Sequence, residues 1–123
     1  MNILSVDFGT KNIGLAWVDT AMGVVLPYGI VKKEELADFI TKEKIDKVVV
    51  GLPLGLDGKE NANTDRVKKF AQELESQIFV PIEFFDERFS SVSADRMGAG
   101  VSRDEKSAMV ILENYLETKK LSS

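Results

Sequence analysis

The chain has 123 residues, 44% of them hydrophobic, which suffices for one domain with its own core and leaves no room for a second. It contains neither cysteine nor histidine, which excludes disulfides, thiolate chemistry, histidine-ligated zinc and any serine–histidine–aspartate triad. A net charge of −4 opposes non-specific binding to polyanions through the field of the whole molecule, and any bound metal must be held by oxygen, which favours Mg2+ or Mn2+.

Asn2 to Val6 predicts a buried strand, and it ends on Asp7, where an apolar residue would be expected. A carboxylate there costs free energy unless it binds a cation or accepts several hydrogen bonds. Gly9 allows a sharp turn and Gly14 relieves crowding on the next strand, so the acid is expected at an open edge of the sheet. Ile13 to Val18 and Val24 to Val31 predict the second and third strands of an antiparallel meander, with Pro27 at an edge or bulge. Lys32 to Glu43 reads as a helix with Leu36, Phe39 and Ile40 inward. Asp46 to Gly51 is apolar on both faces and belongs in the middle of a covered sheet. The loop Leu52 to Gly58 leads into a second helix with Val67, Phe70, Ala71, Leu74 and Ile78 at core spacing.

Ile82 to Phe85 is a further strand, running directly into Asp86-Glu87-Arg88; strand parity alone leaves open which of the two acids serves a site. Helical pieces follow over Ser91 to Met97 and Arg103 to Thr118, and the tail 119–123 is expected to fray. Ser102 and Glu105 have capping-box spacing, with Ser102 as N-cap and Glu105 reaching back to it. Counting back four residues from Ala108 places Asp104 on the inward stripe of Ile111, Leu112 and Tyr115, so this acid can point at the strand ends. The order β-β-β-α-β-α-β-α predicts an α/β fold, a mixed five-stranded sheet with helices on both faces in which only the second strand runs the other way. Open sheets of this kind place their sites at the carboxyl ends of the parallel strands. Lys11, Lys59, Arg66, Lys68, Lys69, Arg88, Arg96, Arg103 and Lys106 fall in or near the segments after those ends, either as a basic face or as ordinary solvated helix surface.

The run Asp7-Phe8-Gly9-Thr10-Lys11-Asn12-Ile13-Gly14-Leu15-Ala16, the loop Gly51-Leu52-Pro53-Leu54-Gly55-Leu56-Asp57-Gly58 and Asp86-Glu87-Arg88-Phe89-Ser90-Ser91 resemble, in order and spacing, the YqgF (RuvX) family. The likeness extends through the final helix, so one domain over 1–118 is expected. The resemblance implies an RNase H-like fold and a metal-dependent nuclease acting in the 5'-end maturation of pre-16S ribosomal RNA. The alternatives it leaves are a Holliday junction resolvase-like DNA nuclease and a non-catalytic module that binds RNA or the ribosome. Carried over by motif, the family's acidic triad falls on Asp7, Glu87 and Asp104, as catalytic residues and ligands of Mg2+ or Mn2+. Thr10, Lys11, Arg88 and Arg103 are the candidates for nucleic-acid contact. The implied partners are precursor rRNA or another structured RNA, branched DNA and the small ribosomal subunit.

Two departures bear on substrate grip. Asn12 stands where the family often has arginine, and the segment from Gly98 to Arg103 is short where the family's loop is long and basic. An Asp-x-Gly-Thr turn also occurs in the sugar kinase, actin and Hsp70 superfamily, but that fold closes two domains on a nucleotide. With no basic region followed by an apolar core at its start and no apolar run of membrane-spanning length, the chain reads as soluble and cytoplasmic, without a membrane partner. A monomer or weak homodimer is expected.

Overall fold

Alternating inward residues build the first strand, β1 (Asn2–Phe8), and the two faces of that alternation organise the molecule. Leu4 and Val6 belong to one buried cluster, Ile3 to another on the opposite face. The computed structural model describes residues 1–9, 11–55, 57–86 and 100–122, with side chains through Lys119. Its elements are β1, β2 (Ile13–Asp19), β3 (Val25–Val31), α1 (Lys33–Lys42), β4 (Lys47–Leu52), α2 (Ala62–Glu75), β5 (Ile82–Asp86) and α3 (Arg103–Ser122).

The strands form one five-stranded sheet in the order β3-β2-β1-β4-β5. β1 pairs antiparallel with β2, which pairs antiparallel with β3, while β4 is parallel to both β1 and β5. Only β2 therefore runs the other way, as the element order requires. β4 sits centrally among the parallel strands, with Val48, Val49 and Val50 all inaccessible to solvent. One face of the sheet buries Leu4, Val6, Ile13, Leu15, Val48 and Val50 against Leu36 and Ile40 of α1 and Val67, Phe70 and Leu74 of α2. The other buries Ile3, Ala16, Val18, Val49 and Phe85 against Ala108, Met109, Ile111, Leu112 and Tyr115 of α3. Helices thus cover both faces, as expected.

Three details differ from the sequence reading. β1 continues through Asp7 to Phe8, because the ladder with β2 persists to Phe8↔Ile13 and the Phe8 ring stacks on Phe70 at 4.1 Å. α2 ends at Glu75, so Ile78 is buried from the turn beyond the helix and not from the helix itself. α3 runs on to Ser122, past the limit expected at Thr118; Lys119 is held by Glu83 at 3.3 Å and lies over the Tyr115 ring. The helical piece expected over 91–97 lies outside the described residues. Pro27, in contrast, sits where a missing N–H is tolerated, on the edge strand β3 beside a bulge.

Candidate active site

Asp7 faces α3, since it shares the phase of Ile3 and Ser5, and Ser5 Oγ donates to the Ala108 carbonyl of that helix at 2.6 Å. On one side Asp7 is paired with Gly14 of β2. On the other, the described ladder with β4 stops one residue earlier, at Val6↔Val50. The half-buried carboxylate therefore stands where the sheet parts between β1 and β4, at the carboxyl ends of the parallel strands.

The first turn of α3 comes down directly on this point. A Cβ built on Gly14 would fall far inside contact distance of the Asp104 backbone carbonyl and 3.0 Å from the Asp104 Cβ. Only glycine at position 14 lets the helix approach this closely, and the approach brings Asp104 beside Asp7. The Asp7 carboxyl is pushed above its ordinary range, first by burial and second by the negative charge of Asp104. Among the described residues no lysine or arginine forms an ion pair with either acid. Two neighbouring carboxylates that no described side chain neutralises repel one another, and a divalent cation bound through their oxygens would relieve that repulsion. The donor set fits a hard cation in its chemistry. Among the described residues it comprises two carboxylates and no group of three metal-ligating side chains.

Asp104 owes its position to its neighbours as well as to Gly14. Ser102 caps α3, its Oγ accepting from the Glu105 N–H at 3.2 Å, and the Lys106 N–H bonds to the Ser102 carbonyl at 2.9 Å. Glu105 reaches back as expected: its Oε1 accepts from the Ser102 hydroxyl at 2.8 Å. Its Oε2 has a second partner, the Gly29 N–H at 2.8 Å. Gly29 lies in the bulged stretch of β3 with φ of +99°, so the bulge turns a backbone donor toward α3. The helix start is thereby tied to the far edge of the sheet.

The loop after β4 is also built. Thr64, fully buried in the first turn of α2, donates its hydroxyl to the Pro53 carbonyl, while Asn61 caps the helix by accepting from the N–H groups of Asn63 at 3.0 Å and Thr64 at 3.1 Å. Gly58 and Gly55 close the turn with N–H bonds to the carbonyls of Gly55 and Lys59. Pro53 is therefore fastened to α2 at the same edge as Asp7.

Of the residues singled out by sequence, Asp7 and Asp104 are brought together, and Lys11 and Arg103 are exposed in segments adjoining them. Thr10, Glu87 and Arg88 lie outside the described residues. Asp86 closes β5 opposite Leu52.

A family model described as RuvX: Holliday junction resolvase matches residues 1–118. The chain belongs to this family. A relative from Maridesulfovibrio salexigens named "Putative pre-16S rRNA nuclease" is 37% identical over 132 residues, covering 94% of this chain and 98% of its own. A relative of the same name from Bacteroides fragilis is 34% identical over 135 residues, with 97% and 98% covered. Among solved structures, that of T. thermophilus RuvC in complex with Holliday junction substrate superposes with a TM-score of 0.70 at 10% identity, covering 98% of this chain and 96% of that one. The fold of this RuvX family member is thus RNase H-like.

Two contacts of the site went unread in the sequence. Ser5, a hydroxyl on an otherwise apolar strand and in phase with Asp7, was a signal that the facing helix would offer a polar group. The bond between Glu105 and Gly29 joins residues 76 apart and left no local trace.

Proposed function

We propose that the protein is a metal-dependent nuclease that hydrolyses phosphodiester bonds of precursor 16S rRNA, with Asp7, Glu87 and Asp104 as its catalytic carboxylates. The observation that carries this reading is the pairing of Asp7 with Asp104 across Gly14, which sets two carboxylates, without an ion-pair partner among the described residues, at the carboxyl edge of the sheet. Membership of the RuvX family supports nucleic-acid chemistry, and the names of the relatives favour rRNA as the substrate.

Asp7 and Asp104 would hold Mg2+ or Mn2+ with Glu87 as the third ligand. The alternation of β5 favours Glu87 over Asp86. Phe85 packs toward α3 and Glu83 accepts from Tyr115 of that helix at 2.5 Å, so Asp86, one residue on from Phe85, falls in the opposite phase. A divalent ion there supplies Lewis acidity and neutralises negative charge that builds on the phosphate oxygens. Asp7 contributes a carboxylate whose burial and like-charged neighbour make it costly to ionise without a cation. Asp104 supplies the second charge from a helix start that Glu105 and Ser102 hold in place. Lys11 and Arg103, with Thr10 and Arg88, are assigned to the substrate's phosphates. The small ribosomal subunit is the proposed setting of the reaction.

The test incubates purified protein with Mg2+ or Mn2+ and single-stranded RNA, precursor 16S rRNA or a four-way DNA junction, comparing wild type with Asp7→Asn. Cleavage of the precursor by wild type and its loss in the variant is expected. Cleavage of the junction alone would move the substrate to branched DNA. Retention of RNA without cleavage in any metal would make the protein a binding module.

A further inference from the structure

On the flank of β1 opposite Asp104, the sheet presents Phe8 to α2, and Arg66 of that helix closes over it. The guanidinium carbon lies 4.8 Å from the Phe8 ring centroid. The same ring stacks on Phe70 at 4.1 Å with an interplanar angle of 7°, so the platform under the arginine is itself fixed by the core. Nη1 donates to the Gly9 carbonyl at 3.4 Å, a long bond that uses one of five N–H donors. Arg66 is half-buried, and among the described residues it forms no ion pair, although the chain carries 20 acidic side chains against 16 basic ones. α2 is a firm support, because buried Thr64 ties its first turn to Pro53.

A brace for the turn after Asp7 would need one donor and no charge. The side chain instead keeps a full positive charge, a fixed place over the Phe8 ring and most of its donors, one residue beyond the strand end that carries Asp7. Those are the properties that suit guanidinium to a phosphate: weak hydration, a fixed fork and bidentate donation.

We propose that Arg66 binds a phosphodiester group of the nucleic acid on the α2 flank of the site, next to the phosphate facing Asp7 and Asp104. This rests on the nuclease reading for the identity of the ligand, though not on cleavage. Unlike exposed Lys11 and Arg103, Arg66 enters the complex with its guanidinium already placed over Phe8 and bonded to Gly9, so it fixes the register of the strand across the sheet edge.

The test measures binding of a single-stranded RNA oligonucleotide to the full chain in EDTA, over a range of KCl, for wild type, Arg66→Gln and Arg66→Lys, with Tm and Mn2+ affinity recorded for each. Gln keeps a donor for Gly9 and removes the charge. Arg66→Gln is expected to bind about tenfold more weakly or worse. The slope of log K against log salt should become shallower by about 0.7, the contribution of one phosphate on a single strand, with Mn2+ affinity unchanged. Arg66→Lys should keep the slope and lose affinity. Wild-type affinity and slope in Arg66→Gln would overturn the proposal and leave the arginine a brace. Should Arg66→Gln lower Tm, Arg66→Lys decides, wild-type affinity there overturning the bidentate contact. A wild-type protein that binds RNA without cutting it fails the nuclease reading alone, whereas an Arg66→Gln protein that binds like wild type fails this one alone.

Discussion

Gly14 and Asp104 are in backbone contact: the second strand gives up a side chain so that the last helix can rest its first turn on the sheet, 90 residues further along the chain. Because Gly14 is also the ladder partner of Asp7, one small residue sets the separation of the two acids. Gly14→Ala forces the helix start away from the strand. It is expected to cost about 1–3 kcal/mol, read from the urea midpoint. The larger effect should be on Mn2+ affinity, which must fall even where the fold persists. A variant with wild-type midpoint and wild-type metal affinity would show that the contact does not position Asp104.

Asp7 is held in the folded protein at a cost. Burial first, and Asp104 second, raise its pKa, so the native state binds this proton more tightly than the unfolded chain does. Stability from this group is therefore greatest at low pH and is lost as pH rises through the raised value. At pH 7 in EDTA, Asp7→Asn should have a higher Tm than wild type. In millimolar Mn2+ the order should narrow or invert, because only the wild type gains from the ion. A lower Tm for Asp7→Asn in EDTA would contradict this electrostatic picture.

Glu105 is the tie between the helix start and the edge strand. Glu105→Ala removes the acceptor of the Gly29 N–H and the partner of the Ser102 hydroxyl, at an expected cost of roughly 1.5–3 kcal/mol. Ser102→Ala, which leaves the Gly29 bond in place, should cost about 0.5–2 kcal/mol. Equal and negligible changes in thermal unfolding for both would show that neither anchors α3.

At the opposite edge, burial would raise the Glu83 carboxyl, but hydrogen bonds from Lys47, Tyr115 and Lys119 outweigh it and hold the group at about 2. The Lys47 Nζ lies 2.7 Å from Glu83 and donates to the Tyr115 hydroxyl at 2.6 Å, linking β4, β5 and α3. The native state thus favours the ionised form. Its contribution is present above the ordinary 4.5 and lost as pH falls from there toward 2. Glu83→Gln should be less stable than wild type at pH 7, and the difference should shrink across that window. A difference in Tm that stays constant from pH 7 to pH 2.5 would rule this out.

Much of this arrangement was legible in the sequence, because it follows from period and phase. Strand alternation and helix spacing gave the order of elements and the direction of β2, and counting back from Ala108 put Asp104 on the side of α3 that meets Asp7. The end of β1 was misread for a local reason: Asp7 breaks the apolar pattern and looks like a terminus, yet the β2 ladder and the Phe8–Phe70 stack carry the strand on to Phe8. Ile78 was misread for the opposite reason, since an apolar residue at helical spacing can be buried from the turn beyond a helix. What pattern could not give were contacts between distant segments. The bonds of Glu105 to Gly29 and of Arg66 to Gly9 span 76 and 57 residues, and each depends on a bulge or a ring stack that exists only in the folded chain.

The site itself is tested most directly by isothermal titration of Mn2+ into the metal-free protein, comparing wild type with the Asp7→Asn/Asp104→Asn double variant and checking both by circular dichroism. Saturable binding of one or two ions by wild type, abolished in a folded double variant, is the expected result. Binding of the same stoichiometry and affinity in the double variant would contradict the claim that these two carboxylates form a metal centre.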